Sequence, residues 1–170
     1  MKIIILVFTL LSFSSGVWSQ KANVTHAAME FNKLVSMRQN GATSAKLKQI
    51  LISAKNHIDQ AASHVNTQNS TKMYAFKGII YYELAIFMLQ DETTSEMTFF
   101  DNLDISIQSF TKGLQVVNGK ESGKSYIYKY AHRVAGELNA LAWSLKKSGN
   151  NDEANELFKI SKSFQDLSYR

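Results

Sequence analysis

The chain has 170 residues, 45% of them apolar and 19% charged, with a formal charge of +5, no Cys and no Pro. That length holds one ordinary domain whose core needs no metal or cross-link, and the missing thiols exclude cysteine nucleophiles, cysteine zinc sites and disulfides. Lys and Arg are scattered, apart from Lys146-Lys147 and the stretch Lys120 to Lys124, so a nucleic-acid role has little support.

Lys2, an apolar run from Ile3 to Leu11, a polar break over Ser12 to Gly16 and Val17-Trp18-Ser19 together form a secretory signal, with cleavage expected between Ser19 and Gln20. The run is too short to stay as an anchor. Residues 20–170 then form the mature domain. A cysteine-free helical domain behind a short leader points to an exported protein, periplasmic or extracellular.

The first mature helix is expected around Ala27 to Met37, with Ala27, Phe31, Leu34 and Val35 on one face and Asn40-Gly41 as its stop. Thr43 or Ser44 can cap the next, whose apolar row runs Leu47, Ile50, Leu51, Ala54, Ile58, Ala61, Ala62 and Val65. The polar turn from Asn66 to Thr71 feeds the central element, Met73 to Leu89, where only Lys77 and Glu83 are charged. A stretch apolar on nearly every side belongs in the middle of a helical stack. The segment from Asp91 to Asp101 is irregular, and Met97, Phe99 and Phe100 in it either fold back over the central helix or form an exposed lip. The pattern resumes at Leu103, Ile107, Phe110, Leu114 and Val117, and Asn118-Gly119 closes it.

Ser122 to Ser125 starts a further helix with Tyr126, Tyr130, Val134, Leu138, Leu141 and Leu145 as its row; Gly123 there lacks the companion glycine of a phosphate loop. After Ser148-Gly149-Asn150 the last helix carries Ala154, Leu157, Phe158, Ser161, Phe164 and Leu167, with Asp152 and Glu153 at its positive end. The expected fold is all-α: about six antiparallel helices stacked as three hairpins.

The final hairpin resembles one tetratricopeptide repeat through Leu138, Leu141, Ala142 and Leu145, then Ala154, Phe158 and Ser161. Tyr74, Gly78, Tyr81, Ser106, Phe110 and Gly113 make a looser second match, departing from the pattern at Lys77 and in an insertion before Ser106. The resemblance implies a recognition groove lined by the first helix of each hairpin, exposing Asn139, Trp143, Lys146 and Lys147 from one and Lys72, Ala75, Ile79 and Tyr82 from another. Trp143 beside two lysines suits a protein or peptide partner, unless its ring packs inward.

No reacting constellation emerges. His57 and His64, seven apart, lack the spacing of a zinc pair, and His132 and Glu137 point in different directions. No cofactor is implied, and no acid, base and nucleophile assemble. The expectation is a non-catalytic exported protein-binding module; the alternative is a compact bundle enclosing a small apolar ligand in a cavity lined by Tyr81, Phe87 and Phe110.

Overall fold

A computed structural model describes the backbone of residues 2–89, 96–116 and 121–168 and the side chains of 21–89, 99–116 and 123–168. Within these every regular element is a helix: α1 (Lys2–Gln39), α2 (Ser44–Ala62), α3 (Thr71–Leu89), α4 (Glu96–Gln115), α5 (Glu121–Lys147) and α6 (Asn151–Ser168). Neighbours pair as hairpins, α1 with α2, α3 with α4 and α5 with α6. The hairpins stack because α3 packs on α2 and α1 of the first hairpin and on α5 of the third, while α4 touches α5 and α6.

The turns follow from backbone chemistry. Gly41 and Gly149 adopt φ of 71° and 92°, a left-handed conformation that costs glycine little. Each lets two amides return to the preceding helix: Ala42 to the Met37 carbonyl and Gly41 to Arg38, then Asn150 to Leu145 and Gly149 to Lys146. Carbonyls that a helix end leaves unpaired are thereby satisfied. Thr43 takes the cap position of α2, with no hydrogen bond from its hydroxyl.

The core is continuous through all six helices. From α3 it takes Met73, Ala75, Phe76, Ile79, Ile80, Tyr81, Tyr82, Leu84 and Ala85, so the most apolar helix lies between the other two hairpins as its composition requires. Close approach inside the hairpins depends on small residues. Ser106 donates to the Gly78 carbonyl at 2.7 Å between α3 and α4, and Ser161 donates to the Ala135 carbonyl at 2.8 Å between α5 and α6.

Four expectations change. The helix containing Ala27 to Met37 begins at Lys2, so the backbone shows no break at Ser19-Gln20; the side chains of the leader lie outside the described residues. Val65 is 70% exposed because α2 ends at Ala62, three residues before it. α4 begins at Glu96 rather than Leu103, so the Asp91 to Asp101 segment ends in helix. Phe99, one turn before Leu103, is buried and meets the Phe100 ring edge-on at 5.1 Å; the Met97 side chain and Asn118-Gly119 lie outside the described residues. In α5 the buried row is Ile127, Ala131, Val134, Leu138 and Ala142, which leaves Tyr126 and Tyr130 facing other partners. Among the described residues no helix is long and apolar enough to cross a membrane.

Candidate functional site

α1, α3 and α5 bring together a band of rings and charges. At its middle Phe31 of α1 lies 6.3 Å from Phe76 of α3 and 6.2 Å from Tyr130 of α5, while Tyr126 packs at 5.9 Å on Phe76 and 5.1 Å on Tyr130. Phe31 thus bridges α1 to α5 across α3. Burial beneath that bridge is complete for Ile79 (0% exposed) and nearly so for Tyr82 (2%). Ile79, Tyr82 and likewise Ala75 (1%) are expected on an open groove; they are core residues instead, because α1, α2, α4 and α5 all pack on α3.

Beyond the rings the band turns ionic. Glu83 is 3% exposed and receives Arg38 Nη2 at 2.7 Å, with Arg133 Nη2 at 3.8 Å. Arg133 Nε in turn donates to Glu137 at 2.7 Å, and the Tyr82 hydroxyl donates to the other oxygen of the same carboxylate. A carboxylate this deep is tolerated only when paired, and two arginines, each exposed on one side, pair it without themselves being fully dehydrated. Burial, reinforced by Glu137, pushes the Tyr82 phenol far above its usual value, and burial pushes Tyr130 up to about 12. Both phenols stay protonated at neutral pH, so the network clamps α1, α3 and α5 and offers no activated nucleophile.

A second cluster ties α2 to α3. Asp59 accepts from Lys55 at 2.7 Å and from the Tyr81 hydroxyl at 2.9 Å, with Lys77 at 3.8 Å. Lys77, the residue that departs from the repeat pattern, therefore has a partner in the preceding hairpin. The hydrogen bond to Asp59 raises the Lys55 pKa, and burial with the Asp59 contact raises that of Tyr81.

The strip expected to meet a partner lies elsewhere. At about 100° per residue, Tyr126, Tyr130, Arg133 and Glu137 share the side of α5 turned to α3, while Asn139, Trp143, Lys146 and Lys147 lie roughly 70–170° round the helix. All four are exposed. Trp143 is 50% exposed, its ring edge resting on Phe158 of α6 at 5.3 Å and the Lys146 ammonium 5.2 Å from its centroid. Lys72 is exposed too, but on α3 beside Tyr126; by helix rise, Tyr126 and Trp143 are about 25 Å apart along α5. The structure therefore joins Asn139, Trp143, Lys146 and Lys147 into one strip and leaves Lys72, Ile79 and Tyr82 out of it.

A pocket of about 660 Å3 opens at the other end of the band, between α1, the α2–α3 turn and the starts of α3 and α5. It takes in Lys72 and Ala75 of the expected groove and also Lys21, Asn32 and Tyr126, three residues that no sequence motif marks. The one local signal was the acid-free turn Asn66 to Thr71, which reads equally well as a run of helix caps. Among the described residues no group of three His, Asp or Glu side chains could hold a metal ion.

Compared with known proteins, the sequence matches no family model, and neither a curated protein nor a solved structure is significantly similar to it.

Proposed function

We propose that the protein is an exported, non-catalytic helical-hairpin module of the tetratricopeptide type, and that it binds another protein through the α5 strip of Asn139, Trp143, Lys146 and Lys147. The observation that carries this reading is the half-exposed Trp143 with a lysine over its ring. A large amphipathic ring left partly in water with cationic neighbours is the kind of anchor on which interface energy concentrates. The lysines give the partner its chemistry, an acidic segment that meets the strip. Support for the repeat type comes from the pairing of the hairpins and from the small residues at their contacts, Gly78, Ser106, Ala142, Ala154 and Ser161. Export rests on the leader pattern of residues 1–19.

The alternative of a bundle around an apolar ligand has less to stand on. Phe110 fills the space beside Gly78 and meets Phe164 edge-on at 6.0 Å, and the Tyr81 hydroxyl is bonded to Asp59.

The test is a photo-crosslinker placed at Lys147 in the producing cell's envelope. A specific protein adduct at an acidic segment, abolished by Trp143→Ala in a protein that still folds cooperatively, supports the proposal. Capture that survives Trp143→Ala, or no adduct from folded and well-produced protein, refutes it.

A further inference from the structure

The pocket at the start of α3 has a chemistry of its own. Among the described residues its two charged lining side chains, Lys21 and Lys72, are both cationic and no Asp or Glu lines it; the Glu121 side chain, two residues before Gly123, lies outside them. Amides come from Asn32, Asn66 and Asn69 and hydroxyls from Thr25 and Ser70, groups that can donate and accept at once. One wall is aromatic: Phe76 and Tyr126, 5.9 Å apart, with Tyr126 38% exposed.

Two features of the α3 N-terminus sharpen the picture. Ser70 Oγ accepts the Met73 amide at 3.2 Å, so the helix is capped one step in, and the N–H groups of Thr71 and Lys72 ahead of it have no partner inside the helix. Thr71 itself lines the pocket, is 3% exposed, and its hydroxyl has no hydrogen-bond partner. A buried hydroxyl without a partner is a standing cost unless something else satisfies it. Gly123 allows this arrangement, because a Cβ there would come within 2.8 Å of the Thr71 methyl.

The pocket is open to solvent on one side and blocked at its inner end. There the rings of Phe31 and Tyr130 meet at 6.2 Å, and Ile79 and Tyr82 lie buried. An extended peptide would need a channel running on along α3, so the space suits a compact ligand; its volume falls in the range of about 300–1,000 Å3 common to small-molecule sites. A ligand matched to amides and hydroxyls carries several hydroxyls, one matched to the aromatic wall has an apolar ring face, and one matched to two ammonium groups and a helix N-terminus carries an anion. Acidic sugars combine all three.

We propose that this pocket binds a uronic acid or a short oligouronide, with its carboxylate at the α3 N-terminus between Lys21 and Lys72 and a sugar face against Tyr126. The site is separate from the α5 strip and does not depend on it.

The test is isothermal titration calorimetry of the purified protein with digalacturonate and a glucuronate disaccharide, with the methyl ester of the first and inorganic phosphate as comparisons. At least one diuronate is expected to bind ten-fold or more tighter than the neutral ester and than phosphate. Lys72→Gln and Tyr126→Ala should each weaken it ten-fold or more. Binding of acid and ester alike, phosphate binding as tight as the diuronates, displacement of the sugar by an acidic peptide, or no binding of either diuronate would each overturn the assignment.

Discussion

Gly78 and Gly136 both sit inside long helices, yet replacing them with Ala should move stability in opposite directions. Alanine gains roughly 1 kcal/mol of helix propensity over glycine at either site. At Gly136 nothing lies within 4 Å of the added Cβ, so most of that gain survives. At Gly78 the Cβ would stand 2.3 Å from both Cδ1 and Cε1 of Phe110, far inside the roughly 3.5–4.0 Å at which carbons rest. The ring has little room to retreat: Phe110 is 0% exposed and Phe164 lies edge-on 6.0 Å away. Moving α3 and α4 apart would stretch the 2.7 Å bond from Ser106 to the Gly78 carbonyl. An overpacking cost of about 3 kcal/mol less the propensity gain leaves Gly78→Ala about 2 kcal/mol less stable, a fall in melting temperature of roughly 4–8 °C for a domain of this size. Gly136→Ala should raise it by roughly 1–4 °C. Thermal unfolding followed by circular dichroism measures both. A Gly78→Ala protein as stable as Gly136→Ala would refute the close packing of the central hairpin.

Other consequences of the same packing can be checked together. Glu83→Gln should cost under about 1 kcal/mol in urea unfolding, since both arginines keep access to water, whereas the double change Arg38→Ala, Arg133→Ala should cost about 3 kcal/mol by leaving a buried carboxylate unpaired. Tyr81, Tyr82 and Tyr130 have folded pKa values above the ordinary phenol value of 10.0. Their contribution is therefore whole below pH 10 and is lost as the pH rises from there through about 12, so stability should fall across that window and those phenols should ionise only with unfolding. Phenolate absorbance followed alongside circular dichroism checks the order of events. Trp18 and Trp143 are the chain's two tryptophans, so in protein cleaved after Ser19 the emission reports Trp143 alone. It should start at the long wavelength of a partly wet indole and move to the blue when a partner covers it.

Much of the architecture is legible because it is written locally. Gly41 and Gly149 stop helices by a backbone conformation that a reader can anticipate, and α3 declares its central place by having almost no polar face. The helical state of Phe99 is obscured by the acidic, hydroxyl-rich stretch before it, although it lies four residues before Leu103 on the same face. Ile79 and Tyr82 were misplaced for a different reason. Spacing within α3 cannot reveal that Phe31, 48 residues before Ile79 in sequence, meets Tyr130 across the groove and closes it. The pocket is hidden for the same cause: Lys21, Thr71 and Tyr126 lie on three helices, and only their packing brings them to one cavity. The half-exposure of Trp143 is partly legible, since its helix face points away from α3, but the Phe158 ring that covers the rest comes from α6.

The account stands most directly on whether Trp143 serves a partner or the fold. Purified partner from the Lys147 crosslink, titrated against the wild type and Trp143→Ala with melting temperatures recorded on the same samples, answers this in one set of measurements. At least a ten-fold loss of affinity is expected, with a melting temperature lowered by roughly 4–8 °C, the cost of about 2 kcal/mol for removing the buried half of the ring. Unchanged affinity, or a drop of about 10 °C or more as expected of a core aromatic, would contradict it.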